Sequence, residues 1–263
     1  MAEDNFSELG RTEALTRLFE GTPFKPFSDG SFITAGKERI FSANRLFLEG
    51  IDFNLVYFPL KHLGYKCVTA VSADIYAKVA EPRTLAVTLG ISARFDYGHI
   101  KELWDGMVTA AQEHGYRDVA LDLAPSRNGL SIALAANGAV PLETDKRRIA
   151  AKSMDLICIS NNVGGAFLGF KVLENAEKSF EQTGQQPELD KWKKMVGAYL
   201  KPEVDCDVVK KLKESEIIPS YGYVVDHGLA DAVKKLVRDS GFGAKVYVDK
   251  LPFESGSFEL GKE

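Results

Sequence analysis

Residues 84–91 read TLAVTLGI, and residues 97–114 read YGHIKELWDGMVTAAQEH. The first run is apolar and rich in β-branched residues, which is typical of a strand. In the second run the large apolar residues recur three or four positions apart, so they lie along one face of a helix. They are Ile100, Leu103, Trp104, Met107 and Val108. The sequence therefore predicts a strand followed by an amphipathic helix.

Two further strands are predicted after this helix, at residues 119–123 and 130–136. The segment between them, Pro125-Ser126-Arg127-Asn128-Gly129, has the composition of a turn, so we expect these two strands to pair with each other. Together with the preceding strand and helix they complete a first α+β unit. We assign this unit, as a domain, to residues 1–150.

The other elements of the first unit carry weaker patterns. Residues 5–20 form an amphipathic pattern that ends at Gly21-Thr22-Pro23, which predicts a short helix. Residues 72–80 are also predicted to be helical. Strands are predicted at residues 32–42, 54–58 and 67–72, where β-branched and aromatic residues concentrate.

A second α/β unit is predicted over residues 151–263. It begins with an apolar strand at 155–160 and a glycine-containing turn, Asn161-Asn162-Val163-Gly164-Gly165, that leads into a helix. Residues 177–189 are polar and predict an exposed loop. The remaining predictions are helices at 189–199, 207–215 and 229–237, and strands at 221–225 and 244–248.

Composition narrows the class of protein. Of the 263 residues, 45% are hydrophobic and 27% are charged, and the net charge is -4. No stretch gathers five or six basic residues, so neither nucleic acid nor an anionic membrane is expected as a partner. The acidic start MAEDN and the lack of an apolar segment of 18 residues predict a cytoplasmic protein. Cys67, Cys158 and Cys206 are widely spaced, which favours structural roles over a disulfide or zinc site.

Several residues are candidates for a site on local grounds. Asp122 lies within an apolar strand, where a carboxylate needs a cation or several donors, although it can also lie at an exposed edge. Asp74 is a second such acid, with a helix N-cap as the alternative. The glycines after residue 160 can either cradle a phosphate or allow close helix packing. For Asp226, beside His227, a surface helix cap is favoured over acid-base chemistry.

Three segments together resemble the thiamine-monophosphate kinase family, within the superfamily of aminoimidazole-ribonucleotide-synthetase-like proteins. They are Leu46-Phe47-Leu48-Glu49-Gly50-Ile51-Asp52-Phe53, then Tyr57-Phe58-Pro59-Leu60-Lys61-His62-Leu63-Gly64-Tyr65-Lys66, and Ser72-Ala73-Asp74-Ile75-Tyr76-Ala77. Weaker matches occur at Leu9-Gly10, 160–168, Leu200-Lys201-Pro202-Glu203 and 226–231, so the resemblance extends over nearly the whole chain.

The resemblance implies a fold and an activity. The implied fold is an N-terminal mixed sheet with helices on one face, which pairs into a barrel in a homodimer, followed by a C-terminal α/β domain that is incomplete at its end here. The implied reaction transfers a phosphoryl group from ATP to thiamine monophosphate, at aspartates that hold Mg²⁺. Such transfer depends on positioning and charge neutralisation, for which carboxylates and Mg²⁺ are suited.

The residues at the matching motif positions differ from the family pattern in several places. The Gly-Asp-Asp-Ala-Ala turn falls on residues 27–31, which leaves Asp29 as its one aspartate, followed by Gly30. The Thr-Asp pair falls on Asn44-Arg45, which replaces a carboxylate by a cation. The Gly-Gly-Asp-Thr turn falls on residues 120–123 and keeps Asp122 alone. The aspartate of Ser-Asp-Gly-Leu is His227, and the histidine of Gly-Val-His-Phe is Asp52.

These matches define the expected site. Asp29, Asp74 and Asp122 are the expected metal-binding acids, Glu49, Asp52 and Phe53 the expected substrate-binding residues, and Gly30 and Arg45 the expected phosphate-binding residues. The changes predict a kinase-like protein that is weak or inactive, with Arg45 either blocking a metal position or pairing with a phosphate. The alternative is a non-catalytic protein of the same fold that binds a nucleotide or a partner chain. A third interpretation is synthetase chemistry on a purine precursor, which the motif segments match less well.

Overall fold

A computed structural model describes residues 11–24, 31–185 and 187–260. The strands are β1 (Ser31–Ala35), β2 (Glu38–Leu48), β3 (Glu81–Ile91), β4 (Asp118–Pro125) and β5 (Ser131–Pro141). The α-helices are α1 (Arg11–Phe19), α2 (Leu60–Ala77), α3 (Tyr97–Glu113), α4 (Leu142–Lys146), α5 (Gly165–Thr183), α6 (Lys193–Leu200), α7 (Val208–Glu214), α8 (Leu229–Ser240) and α9 (Ser257–Leu260). Short 3₁₀ turns occur at Asp190–Trp192 and Val248–Lys250.

The strands form one mixed sheet in the order β1-β2-β5-β3-β4. β3 and β4 are parallel and joined through α3, whereas the other neighbours are antiparallel. The predicted pairing of 119–123 with 130–136 is therefore wrong, because β3 lies between these strands. The reason is burial: β5 buries Ile132, Leu134 and Ala136 and takes a central place, whereas every residue of β4 is exposed and suits an edge.

Helices α2 and α3 pack together on one face of the sheet. Their buried side chains join those of β2, β3 and β5 in a single core, which includes Phe41, Val71, Leu89 and Met107. The predicted strand at 84–91 and helix at 97–114 are both confirmed. The opposite face of the sheet is open: Asn44, Ala135 and Ala86 lie side by side across three strands and are all exposed.

Three predictions in the N-terminal unit are corrected. Residues 32–42 form two strands, β1 and β2, because Gly36 adopts a φ of +59° and reverses the chain. The strand predicted at 67–72 is part of α2, whose β-branched residues are buried against the sheet, and the helix predicted at 72–80 is the end of α2 as far as Ala77. Residues 54–58 form turns instead of a strand. Of the helix predicted at 5–20, residues 11–19 are α1 and the start lies outside the described residues.

The second unit contains its predicted helices but not its predicted strands. Residues 155–160, 221–225 and 244–248 are assigned to no strand. A strand needs a neighbour for its backbone hydrogen bonds, and in the described part of this unit the pairing is limited to an isolated bridge between Val163 and Phe253. Helix α5 continues to Thr183, into the loop predicted at 177–189, and Gly184 ends it with a φ of +68°.

No helix among the described residues combines the length and apolar character needed to cross a membrane.

Candidate functional site

Arg45 and Asp74 form the centre of the candidate site. Arg45 lies in β2 opposite Leu134, a buried residue of β5, so its side chain is on the sheet face that packs against the helices. Asp74 lies in α2 and is 3% exposed. Arg45 Nε donates to Asp74 Oδ2 at 2.6 Å, and Arg45 Nη2 donates to Asp74 Oδ1 at 2.6 Å. This is the bidentate geometry in which a guanidinium engages both oxygens of one carboxylate.

Asp226 supplies a second carboxylate to the same guanidinium. Arg45 Nη1 donates to Asp226 Oδ2, across 181 positions of sequence. Burial alone lowers the pKa of Arg45, but its hydrogen bonds and charge interactions with Asp74 and Asp226 raise the pKa overall, so the side chain stays protonated. Burial alone raises the pKa of Asp226, but the charge and hydrogen bond of Arg45, together with the charges of His227 and Lys235, hold that pKa below its ordinary value. The three groups form a partly buried cation between the buried Asp74 carboxylate and the more exposed Asp226 carboxylate.

The prediction of a surface cap at Asp226 is therefore wrong. The N-cap of α8 is Gly228, which has no side-chain cap. Asp226 lies three residues before the start of α8, and its side chain contacts Arg45. This contact uses a guanidinium N–H group that the pairing with Asp74 leaves available. His227, which stands at the family's aspartate position, has its Nε2 atom 3.7 Å from Asp226.

The segment that carries Asp226 is fixed against the end of α2. Lys78 Nζ donates to the Gly222 carbonyl oxygen at 2.9 Å, and Arg148 Nη1 donates to the Pro219 carbonyl oxygen at 2.5 Å. A Cβ atom at Gly222 would lie 2.0 Å from the Ala77 carbonyl oxygen, so the backbones are in direct contact. This packing brings Asp226 within reach of β2.

Asp122 is not part of this group. It lies in the edge strand β4 beside Thr88, an exposed residue, and thus on the open face of the sheet, whereas Arg45 and Asp74 are on the helix-packed face. Its side chain accepts a hydrogen bond from the neighbouring Leu123 N–H at 2.9 Å. Within residues 11–24, 31–185 and 187–260, no three His, Cys, Asp or Glu side chains are grouped as a metal site. Asp29 and Gly30 lie outside the described residues.

Glu49 lines a cleft at the end of β2. It forms an ion pair with Arg94, and its Oε2 atom accepts the Leu130 N–H at 2.9 Å. Gly129 has a φ of +79°, and a Cβ there would lie 2.6 Å from Glu49 Oε2. The cleft measures about 360 Å³ and is lined by Glu49, Gly50, Asn54, Arg94, Asn128 and Gly129. Charged and amide groups dominate this lining, which suits a polar ligand.

Asp52 and Phe53 hold the turn that follows Glu49. The Asp52 carboxylate accepts the Leu48 N–H at 2.7 Å, and Phe53 is 2% exposed within the core. Asn54 Nδ2 then donates to both carboxylate oxygens of Glu177 in α5 at 3.1 Å. The contacts of these residues are thus with the protein's own backbone and helices.

The glycine turn at the start of α5 lies against the side chain of Glu254. A Cβ at Gly165 would lie 3.2 Å from Glu254 Cγ, and Asn162 Nδ2 donates to Glu254 at 3.3 Å. Lys194, 2.6 Å from Glu254, is the main reason that the pKa of Glu254 is lowered to about 2, so its charge persists at neutral pH. A phosphate at this turn would meet a negative charge, which favours the packing role for these glycines.

Sequence reasoning missed the contact of Asp226 with Arg45, and it also missed Arg94 and the cations that fix residues 219–226. Asp226 was considered, but its partner is too distant in sequence for local patterns to indicate it. For Arg94, the one available signal was its position directly after β3, where loops often carry functional residues.

Comparison with known proteins supplies the wider context. Residues 29–140 match the family described as AIR synthase related protein, N-terminal domain. The thiamine-monophosphate kinase of Rhodopirellula baltica is 23% identical over 216 residues, 82% of this chain and 58% of the relative. That of Salmonella typhimurium is 26% identical over 192 residues, 72% and 54% of the two chains. The chain therefore spans somewhat more than half the length of these curated relatives.

Solved structures agree on the fold. The thiamine monophosphate kinase of Aquifex aeolicus has a TM-score of 0.77 at 17% identity, over 98% of this chain and 81% of that chain. The structure of AaThiL complexed with AMPPCP and TMP also has a TM-score of 0.77, at 14% identity, over 100% of this chain and 80% of that chain. Escherichia coli HypE, a hydrogenase maturation protein, has a TM-score of 0.56 at 14% identity, over 94% and 74%. The predicted α/β fold class is confirmed, with a shorter C-terminal part.

Proposed function

Because the chain belongs, through residues 29–140, to the AIR synthase-like superfamily, we propose that it is a thiamine-monophosphate kinase-like protein with an altered phosphotransfer site. Its ligands are ATP and thiamine monophosphate or a related phosphorylated molecule. Its capacity to make thiamine diphosphate is weak or absent. The proposal rests on the kinase-like fold and, for the loss of activity, on the position of Arg45.

The contact between Arg45 and Asp74 carries this proposal. Mg²⁺ requires hard oxygen ligands with near-octahedral geometry, and both oxygens of Asp74 already accept hydrogen bonds from Arg45 at 2.6 Å. The described residues therefore do not fit a magnesium site at Asp74. A cation placed there would also face the guanidinium charge, and two unit charges 4 Å apart repel by about 4 kcal/mol at an effective dielectric constant of about 20. Arg45 neutralises Asp74 in place of a metal ion.

We assign ligand binding to the cleft at Glu49. Its volume of about 360 Å³ lies within the usual range of about 300–1,000 Å³ for small-molecule sites. Arg94 is 53% exposed at its mouth and offers a guanidinium to a phosphate, while Glu49 offers a carboxylate to ligand donors. A bound phosphate would replace Glu49 as the anionic partner of Arg94. Asp52 and Phe53 support this site by holding the turn that positions Glu49.

The second candidate function is non-catalytic binding of a nucleotide or a partner chain. The same triad of Arg45, Asp74 and Asp226 favours it, because a structural ion cluster needs no ligand to be stable. The two candidates differ in one measurable property: the weak kinase forms thiamine diphosphate, and the binding protein forms none.

The test replaces Arg45 by aspartate. We expect Mg²⁺ to leave the melting temperature of the wild-type protein unchanged beyond the effect of ionic strength. In the Arg45→Asp protein three carboxylates meet, and Mg²⁺ at a hundred times its dissociation constant stabilises the folded state by about 2.7 kcal/mol. That corresponds to about 5–10 °C for a protein of this size. Thermal unfolding with and without Mg²⁺ measures the shift, and an assay for thiamine diphosphate is run on the same samples.

Arg39→Ala is the matched control, because Arg39 is also a β2 arginine in an ion pair, with Asp145 at 2.5 Å. Its melting temperature should not respond to Mg²⁺. Two results would contradict the proposal: a wild-type protein that turns over at the rate of about 1–100 s⁻¹ typical of kinases, or an Arg45→Asp protein that ignores Mg²⁺.

We further propose a homodimer that forms through the open face of the sheet, with residues 1–150 as the dimerisation domain and residues 151–263 as the second domain. The row Asn44, Ala135 and Ala86 is exposed and small, so another sheet can approach it closely, and Leu46 beside it is 58% exposed.

Ala135→Glu should convert the dimer to a monomer, because it places a charge at the centre of this face without touching the core. Light scattering after size-exclusion chromatography measures the mass. Gln112→Glu, an exposed change on α3, serves as the control and should leave the mass unaltered. A wild-type monomer, or an Ala135→Glu dimer, would show that the face is not an interface.

A further inference from the structure

Residues 50–58 form one wall of the cleft at Glu49, because Gly50 and Asn54 both line it. This segment, which we call the cleft wall, consists of turns and contains no helix or strand. Its regular pairing is limited to an isolated bridge between Glu49 and Phe53. A segment without a hydrogen-bonded ladder depends on side-chain contacts for its position. The shape of the cleft therefore depends on the groups that hold this wall from behind.

Asn54 is held at both ends of its carboxamide. Its Oδ1 atom accepts the Val56 N–H at 3.0 Å, and its Nδ2 atom donates to Oε1 and Oε2 of Glu177, both at 3.1 Å. Glu177 lies in α5, in the second unit, 123 positions along the chain. In the part of the chain that the structure describes, Glu177 is in no ion pair, so its carboxylate is available to Asn54. Hydrogen bonds to a carboxylate are stronger than those between neutral groups.

Tyr199 in α6 provides a second anchor for the cleft wall. Its hydroxyl lies 3.5 Å from the Asp52 carbonyl oxygen, and its ring centroid is 5.4 Å from that of Phe58. On the other side, the Tyr199 ring is 5.5 Å from the ring of Phe170 in α5. Lys66 Nζ of α2 lies 3.7 Å from the centroid of the Tyr199 ring, a cation–π contact that holds the ring in place. Two helices of the second unit thus contact the same turn segment.

We propose that Glu177 is a positioning residue for ligand binding in the cleft. It holds Asn54, and through Asn54 it fixes the cleft wall in the arrangement that receives the ligand. A wall that is already fixed loses less conformational freedom when a ligand binds, so affinity is higher. The inference rests on the proposed function, since the ligand is the phosphorylated molecule assigned to this cleft. It adds that the second unit, which carries Glu177, sets part of the affinity.

Calorimetric titration with thiamine monophosphate as the probe tests this role. Glu177→Ala removes both hydrogen bonds and should raise the dissociation constant about tenfold, the effect of losing one hydrogen bond to a charged group. Glu177→Gln keeps a carbonyl oxygen that accepts from Asn54 Nδ2, so it should restore most of the affinity. Glu174→Ala is the matched control. Glu174 lies on the same helix and pairs with Lys171 at 2.8 Å, so its loss removes the same charge and leaves Asn54 in place.

Hydrogen exchange gives a readout that needs no ligand. The N–H groups of Val56 and Phe58 both donate to Asn54, the first to its side chain and the second to its carbonyl oxygen. Glu177→Ala should therefore speed up exchange at these two amides. Glu174→Ala should leave their exchange unchanged. The two alanine variants should also melt at similar temperatures, which separates a loss of positioning from general destabilisation.

Two results would overturn the inference: a Glu177→Ala protein with the wild-type dissociation constant, or an equal loss of affinity in Glu174→Ala, which would trace the effect to charge alone. A wild-type protein that binds no thiamine monophosphate would instead contradict the proposed function. Hydrogen exchange then decides the inference by itself, and unchanged exchange at Val56 and Phe58 in Glu177→Ala would show that Glu177 does not hold the cleft wall.

Discussion

Replacing Asp74 by alanine should lower the free energy of unfolding by about 3–5 kcal/mol, the usual cost of removing one partner of a buried ion pair, because Asp226 then remains as the one carboxylate on Arg45. The Arg45 side chain is 14% exposed on the core face of β2, so most of it is shielded from water. Asp74 supplies two of its hydrogen bonds, both at 2.6 Å. Urea unfolding followed by circular dichroism measures the change.

Two further variants separate this cost from a general packing defect. Asp226→Ala should cost less, because Asp226 is 24% exposed and receives one Arg45 nitrogen instead of two. The double variant Arg45→Leu with Asp74→Ala removes both charges and should recover part of the loss, as exchange of buried ion pairs for apolar groups often does. If Asp74→Ala costs less than about 1 kcal/mol, in the range of a solvated surface pair, the account of Arg45 as a buried cation is wrong.

Gly106→Ala should destabilise the protein by about 3 kcal/mol or more, at the upper end of the usual cost of overpacking. A Cβ atom at Gly106 in α3 would lie 1.9 Å from the Lys61 carbonyl oxygen in α2, and one at Gly64 would lie 2.1 Å from the Leu103 carbonyl oxygen. Because both obstacles are backbone atoms, a rotamer change cannot relieve the clash. The helices would have to separate along their whole contact.

The control is another helical glycine that has space around it. Gly197 in α6 has no atom within 4 Å of an added Cβ, so Gly197→Ala should be neutral or stabilise the protein by up to about 1 kcal/mol through helix propensity. Thermal or urea unfolding of both variants gives the comparison. A Gly106→Ala protein as stable as wild type would mean that α2 and α3 do not pack as closely as described.

β3 and α3 were predicted correctly because the residue pattern of each segment is typical of the element that it forms, and tertiary packing does not change that element. The strand predicted at 67–72 was wrong for the opposite reason: β-branched residues are tolerated in α2, where Val68 and Val71 are fully buried in the core. The pairing of β4 with β5 was wrong because a short turn favours a hairpin locally, whereas the burial of β5 places it between β2 and β3. In both cases the structure follows from tertiary packing and not from the local sequence pattern.

The candidate site could be predicted only in part. Arg45 and Asp74 were identified from sequence, but with separate roles as phosphate and metal ligands, and the structure joins them in one ion pair. Asp226 could not be linked to them, since 181 positions separate it from Arg45. Asp122 was grouped with Asp74 because motif order does not reveal which face of a sheet a residue occupies. Roles in ligand binding for these residues, and for Glu49, remain predictions.

The arginine between two aspartates has a consequence for how such a protein changes over generations. Once a guanidinium holds Asp74 and Asp226, loss of either acid removes one of the two carboxylates that neutralise it, so selection for a folded chain preserves both whether or not any reaction takes place. Acquiring a metal at this position would require losing Arg45 while the ion is available to replace it. Aspartates retained in lineages that carry this arginine are therefore evidence of folding constraints, and activity has to be inferred from other residues.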